Sequence, residues 1–429
     1  MLHRVKAGLH ALAVTAALAA VTAAGAQPRT SPPARDSGLV AFDDGGLRIH
    51  SADRTKQLKL RAYAMFDALA LLGDSTPAPG SNLAVKRASV ILDANLFPGV
   101  AARIMFEVGP SSASSPVQDA YVDAGLGGGW WMRAGKQKTP VGLERYISVA
   151  TLLFPERSLA SNLHASRDVG ILVTGPVVTD AVEASLGVFD GAPDGGATQD
   201  GDATAAKDVT YRAWFKPYRH TVGGVEQGVG IAFNGSTGLE RGVAGGAARL
   251  PRFKTQAAQT FFAYSEGQGV RAAGRHTRNG AFAYFHQGPF GAMAEWFANS
   301  QAVARGASAA TVRTNAWLVS AQYSLTGEPS GPDGLTPRKP FDPASGHWGA
   351  WQAGARVAAL RVGDEAFPMY ADSSASARGA VEAGAVLNWY LSRLIHLQAA
   401  YQQTTFTGGA RLGNRRMERL LQLRWQLFF

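Results

Sequence analysis

The stretch Glu418–Phe429, ERLLQLRWQLFF, decides the fold. Leu421, Leu423, Trp425, Leu427 and Phe429 take every second position, with Gln422, Arg424 and Gln426 between them. A period of two puts the two sets on opposite faces of a β-strand. In a soluble sandwich the apolar face would meet a second sheet. In a membrane barrel it meets lipid, and the polar face lines a watery lumen.

Other segments repeat the pattern. Leu58, Leu60, Ala62, Ala64 and Phe66 alternate with Lys59, Arg61, Tyr63, Met65 and Asp67. Val100, Ala102, Ile104 and Phe106 alternate with Arg103 and Glu107, and Trp317, Val319, Ala321 and Tyr323 with Ser320, Gln322 and Ser324. Ile395, Leu397, Ala399 and Tyr401 alternate with His396, Gln398 and Gln402. There are roughly sixteen such segments, and bacterial single-chain barrels take even strand numbers. The expected fold is therefore all-β, an antiparallel transmembrane β-barrel of sixteen strands. Trp130, Trp296, Trp348, Trp389 and Tyr390 fit aromatic girdles at the membrane interfaces. Thr255–Tyr264 reads either as a strand or as a loop folded inward. A C-terminal aromatic after alternating apolar positions resembles the assembly signal of outer-membrane barrels.

Composition agrees. The 429 residues are 46% hydrophobic and only 17% charged, against about 25% charged in soluble proteins. After the N-terminal segment no apolar run reaches the length of about 18 residues that a membrane helix needs. With no cysteine, disulfides and thiolate metal sites are excluded. Residues 1–26 read as a cleavable signal peptide: His3, Arg4 and Lys6 precede the apolar Ala11–Ala24, and Ala24-Gly25-Ala26 is a cleavage pattern. Its removal takes Arg4 and Lys6 and lowers the formal charge from +10 to +8. Residues 27–57 are a linker and lead-in, proline-rich at Pro28–Arg35, and residues 58–429 are the barrel.

Gly135–Asp168 is a long break with no clean period, and such connections are functional or disordered. Its anchors Val141, Leu143, Tyr146, Leu152, Leu153 and Phe154 argue for order. Lys136, Lys138, Arg145, Arg157 and Arg167 outnumber Glu144, Glu156 and Asp168. The reading is an inward-folded constriction loop that presents basic groups. The polar breaks Asp190–Lys207, Thr326–Gly346 and Phe367–Arg378 are expected as long external loops. Gly288-Pro289 and Ser392-Arg393 are expected as tight turns at the other end. The acidic cluster Asp190, Asp194, Asp200 and Asp202 lacks the spacing of a calcium loop and reads as solvated.

Short pieces in order along the chain carry a family likeness. They are Val85–Ala88 (VKRA), Gln118–Val122 (QDAYV), Gly135–Tyr146 (GKQKTPVGLERY), Glu156–Leu159, Arg167–Gly170, Gly187–Gly191, Gly288–Gly291, Leu325–Glu328, Lys339–Pro343 and Leu387–Tyr390. On these the chain resembles the phosphate-selective porin O and P family. The resemblance implies a homotrimer of sixteen-stranded barrels in the bacterial outer membrane, reached by export, and passive passage of small anions such as phosphate or polyphosphate. It also implies lumen arginines at Arg61 and at the pair Lys86 and Arg87, an acid near the constriction at Asp119, and a constriction cation at Arg145. Lys86 stands where the family has arginine, Arg145 where it has lysine, and Ser89 where it often has tyrosine.

Alternation independently places Arg61, Arg87 and Arg103 on polar faces. It puts Lys86 opposite Arg87, so Lys86 needs a bulge to reach the lumen; Lys136 and Lys138 raise the same question. The candidate anion-binding set is thus Arg61, Lys86, Arg87, Arg103, Asp119, Lys136, Lys138 and Arg145. Arginine offers a flat two-donor fork for oxyanions and lysine a point charge, and either offsets the hydration an anion sheds in a pore. The competing reading is a general or sugar-type porin whose lumen charges cancel. An enzyme is not expected, because His164, His286, His347 and His396 show no catalytic or metal spacing. No catalytic residues, cofactor, metal or nucleic-acid partner are expected; outer-membrane lipid is.

Overall fold

Paired strands carry the alternation around a closed wall. The computed structural model describes residues 39–43, 45–72, 82–109, 116–179, 181–197 and 207–429. The expected leader and linker, and Asp200 and Asp202, lie outside these residues. Two short strands come first, β1 (Val40–Asp43) and β2 (Gly46–His50). There follow β3 (Gln57–Leu71), β4 (Asn82–Phe97), β5 (Val100–Glu107), β6 (Val117–Gly127), β7 (Trp130–Gln137), β8 (Asp168–Val178) and β9 (Val182–Phe189). Next are β10 (Asp208–Val222), β11 (Val225–Arg241), β12 (Arg252–Lys254), β13 (Thr260–Ala263), β14 (Arg271–Gln287), β15 (Phe290–Arg305) and β16 (Ser308–Ser324). The last are β17 (Ala350–Val362), β18 (Ala377–Tyr390), β19 (Ile395–Gly408) and β20 (Glu418–Phe428).

From β3 to β11 each strand pairs antiparallel with the next, β11 pairs with β14, and the series runs on to β20. β20 pairs with β3 from Leu420↔Leu71 to Phe428↔Tyr63 and closes a barrel of 16 strands. Phe429 and Ala62 exchange two backbone hydrogen bonds, of 2.9 and 3.2 Å, just past that seam. β12 and β13 pair only with each other.

The faces fall as the period of two requires. Leu58, Leu60, Phe66, Ile104, Phe106, Trp317, Val319, Tyr401 and Leu421 are exposed on the outer surface. So much large apolar surface suits lipid rather than water. Tyr63, Met65, Asp67, Ser320, His396, Gln398, Gln422, Arg424 and Gln426 point inward and are buried. The sequence suggests that such polar faces are wet. On the β14–β20 side they are instead covered by chain folded into the lumen.

Strand parity sorts the connections. The connections that follow β7, β9, β11 and β17 start from one end. Gly288-Pro289 and residues 391–394 leave from the other, the periplasmic end by the usual asymmetry of loop length. The segment Thr326–Gly346 joins β16 to β17 and therefore lies at the short-turn end, not among the external loops. Its composition matches a solvent loop, but composition carries no information about which end a connection occupies. It folds back into the barrel: Ser330 N donates to Gly288 O at 2.8 Å, and Leu335 is buried against Ala350 and Tyr390.

Thr255–Tyr264 proves to be both of its readings. β13 pairs with β12, and the hairpin turns inward, burying Phe253, Phe261 and Phe262 against Leu159 and Leu163. Trp389 belongs to an aromatic girdle at the short-turn end, stacked on Trp351 at 4.9 Å with Phe341 edge-on at 5.5 Å. Tyr390 does not join it. Adjacent residues on a strand face opposite ways, so Tyr390 points inward and stacks on His396 at 3.9 Å.

Candidate functional site

The chain leaves β7 at Gln137 and crosses the lumen before it re-enters the wall at Asp168. Thr139-Pro140 cannot continue a central strand. A one-turn helix follows at Leu143–Tyr146, then short 3₁₀ turns at Val149–Thr151 and Leu159–Leu163. Gly142 starts the helix at φ 79°, where a Cβ would lie 2.7 Å from His164 Nε2. Only glycine fits both the angle and the space.

The barrel wall satisfies the polar backbone of this crossing. Glu295 accepts from the amides of Leu143 and Glu144, the latter at 3.0 Å. Asn388 Nδ2 donates to Leu153 O at 3.0 Å, Gln398 Nε2 to Leu152 O at 3.3 Å and Asn299 Nδ2 to Leu163 O at 2.6 Å. Glu144 accepts from Ser158 N, Ser158 Oγ and Ser161 Oγ, and pairs with Arg356 at 3.3 Å. On β20, Arg424, fully buried, pairs with Asp67 at 2.6 Å and with Glu156 at 2.5 Å. Arg87 adds a pair to Glu156 at 3.0 Å. Burial opposes the charge on Glu156, but Arg87, Arg424 and Lys86 hold its carboxyl well below the usual range.

Lys86 is the extra residue of a bulge, since Met65 faces Arg87 and Phe66 faces Val85. Its Nζ lies 3.8 Å from Glu156 Oε1, on the side to which Arg87 points. A kinked strand thus presents two consecutive basic side chains to one carboxylate.

Between the loop and the β3–β7 wall lies a cavity of about 810 Å³. Of the residues expected from sequence, Arg61, Arg87, Arg103, Asp119, Lys138 and Arg145 line it; Lys86 and Lys136 do not. Lys136 is buried near the end of β7. The cavity is also lined by Arg133, Arg157, Arg167 and Tyr121, and, from the short-turn end, by Pro332 and Asp333. In the sequence Arg157 and Arg167 read only as loop charge, and Arg133 carries no local mark of the site. The signal for Arg133 is its register opposite Asp123, visible only once β6 and β7 are aligned.

The wall cations are paired. Asp93 accepts from Arg61 Nε at 3.0 Å and Arg103 Nε at 2.6 Å. Asp123 takes Arg133 in a two-bond fork of 2.6 and 2.8 Å, and Arg133 stacks over Tyr121 at 3.8 Å. Arg167 holds Asp119 at 2.8 Å. Three loop cations differ. Lys138 Nζ donates to the carbonyls of Tyr146 and Ile147 at 2.9 and 3.0 Å. Arg157 donates to Glu144 O at 3.1 Å and Ile147 O at 2.9 Å. Arg145 donates to Ser161 O at 2.7 Å and His164 Nδ1 at 3.4 Å. Among the described residues no carboxylate forms an ion pair with any of the three. Carbonyl dipoles orient these groups without cancelling their charge.

Crowding of like charge shows in their proton affinity. Burial, with Arg157 and Arg167 nearby, holds Lys138 well below the ordinary lysine value. Burial and Arg157 push Arg145 down to about 9, and an arginine there still keeps its proton at neutral pH. Burial and Arg145 keep His164 neutral. An anion entering the cavity would relieve this repulsion.

Of the acidic cluster, Asp190 and Asp194 are not solvated as the sequence suggests. Asp194 is buried and pairs with Arg278 at 2.6 Å, which also holds Asp208 at 2.9 Å, while Asp190 pairs with Lys207 at 2.9 Å. No group of three or more His, Asp or Glu is arranged to hold a metal among the described residues.

The family model of the phosphate-selective porins O and P matches residues 101–429, well over half of the chain. The chain belongs to this family. It is an outer-membrane porin, and Arg61, Lys86 and Arg87 lie ahead of the matched region. Solved structures of similar fold include the outer-membrane channel DcaP of Acinetobacter baumannii, at TM-score 0.55 and 12% identity over 89% of this chain and 99% of that one. The anion-selective porin from Comamonas acidovorans gives 0.53 and 11% over 87% and 100%. OmpT of Vibrio cholerae gives 0.51 and 10% over 87% and 98%. Family and fold alike are those of channels, not enzymes. Among curated proteins none matches the chain.

Proposed function

We propose that this porin passes small anions, phosphate among them, by passive diffusion, and selects them at Lys138, Arg145 and Arg157. The observation that carries this is the absence of a carboxylate partner for all three, among the described residues, where the loop narrows the lumen. An anion there exchanges part of its hydration for donors already oriented by backbone carbonyls. The anion-selective Comamonas porin, similar in fold, supports the same direction.

A second reading draws on a different observation. Arg61, Arg103, Arg133 and Arg167 are each held by a carboxylate, so the wall outside the constriction is nearly balanced. On that reading the pore is a general or sugar-type diffusion channel. Reversal potential across a salt gradient in a planar bilayer separates the two. Strong anion preference, with chloride current blocked by phosphate, supports selection at the loop; no preference sinks it.

Homotrimerisation belongs to the same proposal, supported by the family and by a Vibrio cholerae OmpT structure in trimer form. So does the division into a leader at 1–26, a lead-in at 27–57 and a barrel at 58–429.

A further inference from the structure

A second cavity, of about 140 Å³, lies between the same loop and the wall around β10, β14 and β15. Its apolar lining includes Leu143, Ile147, Leu153, Trp214, Tyr284 and Met293. Its charged neighbours are already engaged: Lys216 with Glu183 at 3.2 Å, Glu226 with Arg219 at 3.5 Å, and Arg356 with Glu144 and Glu382. What it offers a ligand is therefore apolar surface. A protein cavity of roughly 150 Å³ with an aliphatic and aromatic lining holds a benzene ring.

The two cavities adjoin, since both are lined by Leu143, Ile147, Trp214 and Pro332. Ile147 is the hinge point between them. Its carbonyl accepts from Lys138 at 3.0 Å and Arg157 at 2.9 Å, while the residue also borders the apolar cavity. Uncancelled positive charge and a ring-sized apolar space thus meet at one residue.

We infer that the constriction binds small aromatic carboxylates, the carboxylate at Lys138 and Arg157 and the ring in the adjoining apolar cavity. The inference rests on the anion reading above and narrows it to a ligand class. Inorganic phosphate fills only the charged half. Acetate shares the carboxylate but lacks the ring.

The test is block of chloride current through single channels by benzoate and by acetate. Benzoate should half-block at about one tenth of the acetate concentration, the gain expected from partly burying one ring. Met293→Trp fills the cavity from the wall, and Thr151→Trp fills it from the loop. Each should bring benzoate and acetate level, with the chloride reversal potential measured on the same channels. Equal block by benzoate and acetate in the native channel, with anion preference intact, overturns this inference alone. Loss of all anion preference in the native channel overturns the reading beneath it as well.

Discussion

Glu144 and Arg145 are neighbours in the chain, yet their side chains form no ion pair. The Glu144 carboxylate is turned onto Ser158, Ser161 and Arg356, while the Arg145 guanidinium donates to Ser161 O and His164. The acid anchors the loop to the wall and the base is left to face the cavity.

Arg145→Glu should therefore reverse or strongly reduce anion preference. At an effective dielectric near 20, a unit charge about 5 Å from a passing ion contributes roughly 3 kcal/mol before screening. Arg145→Lys should keep most of the preference and weaken block by phosphate. Arg338 is exposed and donates to Gly327 O at 2.8 Å, so Arg338→Glu should leave the reversal potential almost unchanged. An unchanged potential in folded Arg145→Glu channels would show that the loop does not set selectivity.

Glu144→Gln should act on the loop rather than on the ion. Arg356 keeps Glu382 at 2.8 Å, so the expected cost is partial, about 1–3 kcal/mol for the weakened bonds. Thermal unfolding should shift down and single-channel records should become noisier, with open-channel selectivity kept. Quiet channels of altered selectivity would contradict the anchoring role.

Lys138 predicts a pH dependence. Its proton affinity is lowered by burial and by Arg157 and Arg167. A base with a lowered pKa carries its charge at low pH and loses it early as pH rises. Anion preference should therefore fall as pH rises, and do so below the free-lysine value of about 10.4. Lys138→Met should start lower and stay flat until Arg145, pushed down to about 9, begins to lose its own proton, and Lys138→Arg should stay high over the same range. A native profile that matches that of Lys138→Arg throughout would argue that the ammonium lies off the ion path.

Phe429 closes the seam with Ala62 from a half-exposed outer position. Deleting it, or making Phe429→Asp, should slow barrel assembly several-fold, as followed by heat-modifiable migration on gels. The conductance of channels that do assemble should be unchanged. Equal loss of conductance per channel would place this residue nearer the pore than its position allows.

Mass spectrometry of protein extracted from outer membranes should find a mature N-terminus at Gln27. An intact Met1 in a soluble fraction would refute both the leader and the export it implies.

The outer wall was legible because lipid and lumen impose one rule on every second residue. β20 and β3 show that rule residue by residue. What stayed hidden depends on relations between distant segments. Thr326–Gly346 was misplaced because its end of the barrel follows from counting strands, not from its own residues. Arg133 went unread because its meaning lies in the Asp123 and Tyr121 across from it. Lys86 stood on the wrong face until the bulge was known. Most of all, a run of charges does not say which are cancelled: Arg87 and Arg145 look alike in sequence, and only one has an acid waiting for it.

The crossing loop also has a mechanical consequence. It is fastened at one wall through Glu156 to Arg424 and Arg87, and at the other through Leu143 and Glu144 to Glu295. A hollow cylinder of strands is easily flattened; one with a strut tied to both sides is not. The bore beside that strut should keep its width when lipid presses on the barrel from outside, so bilayer thickness and lateral tension should have little purchase on what the channel admits.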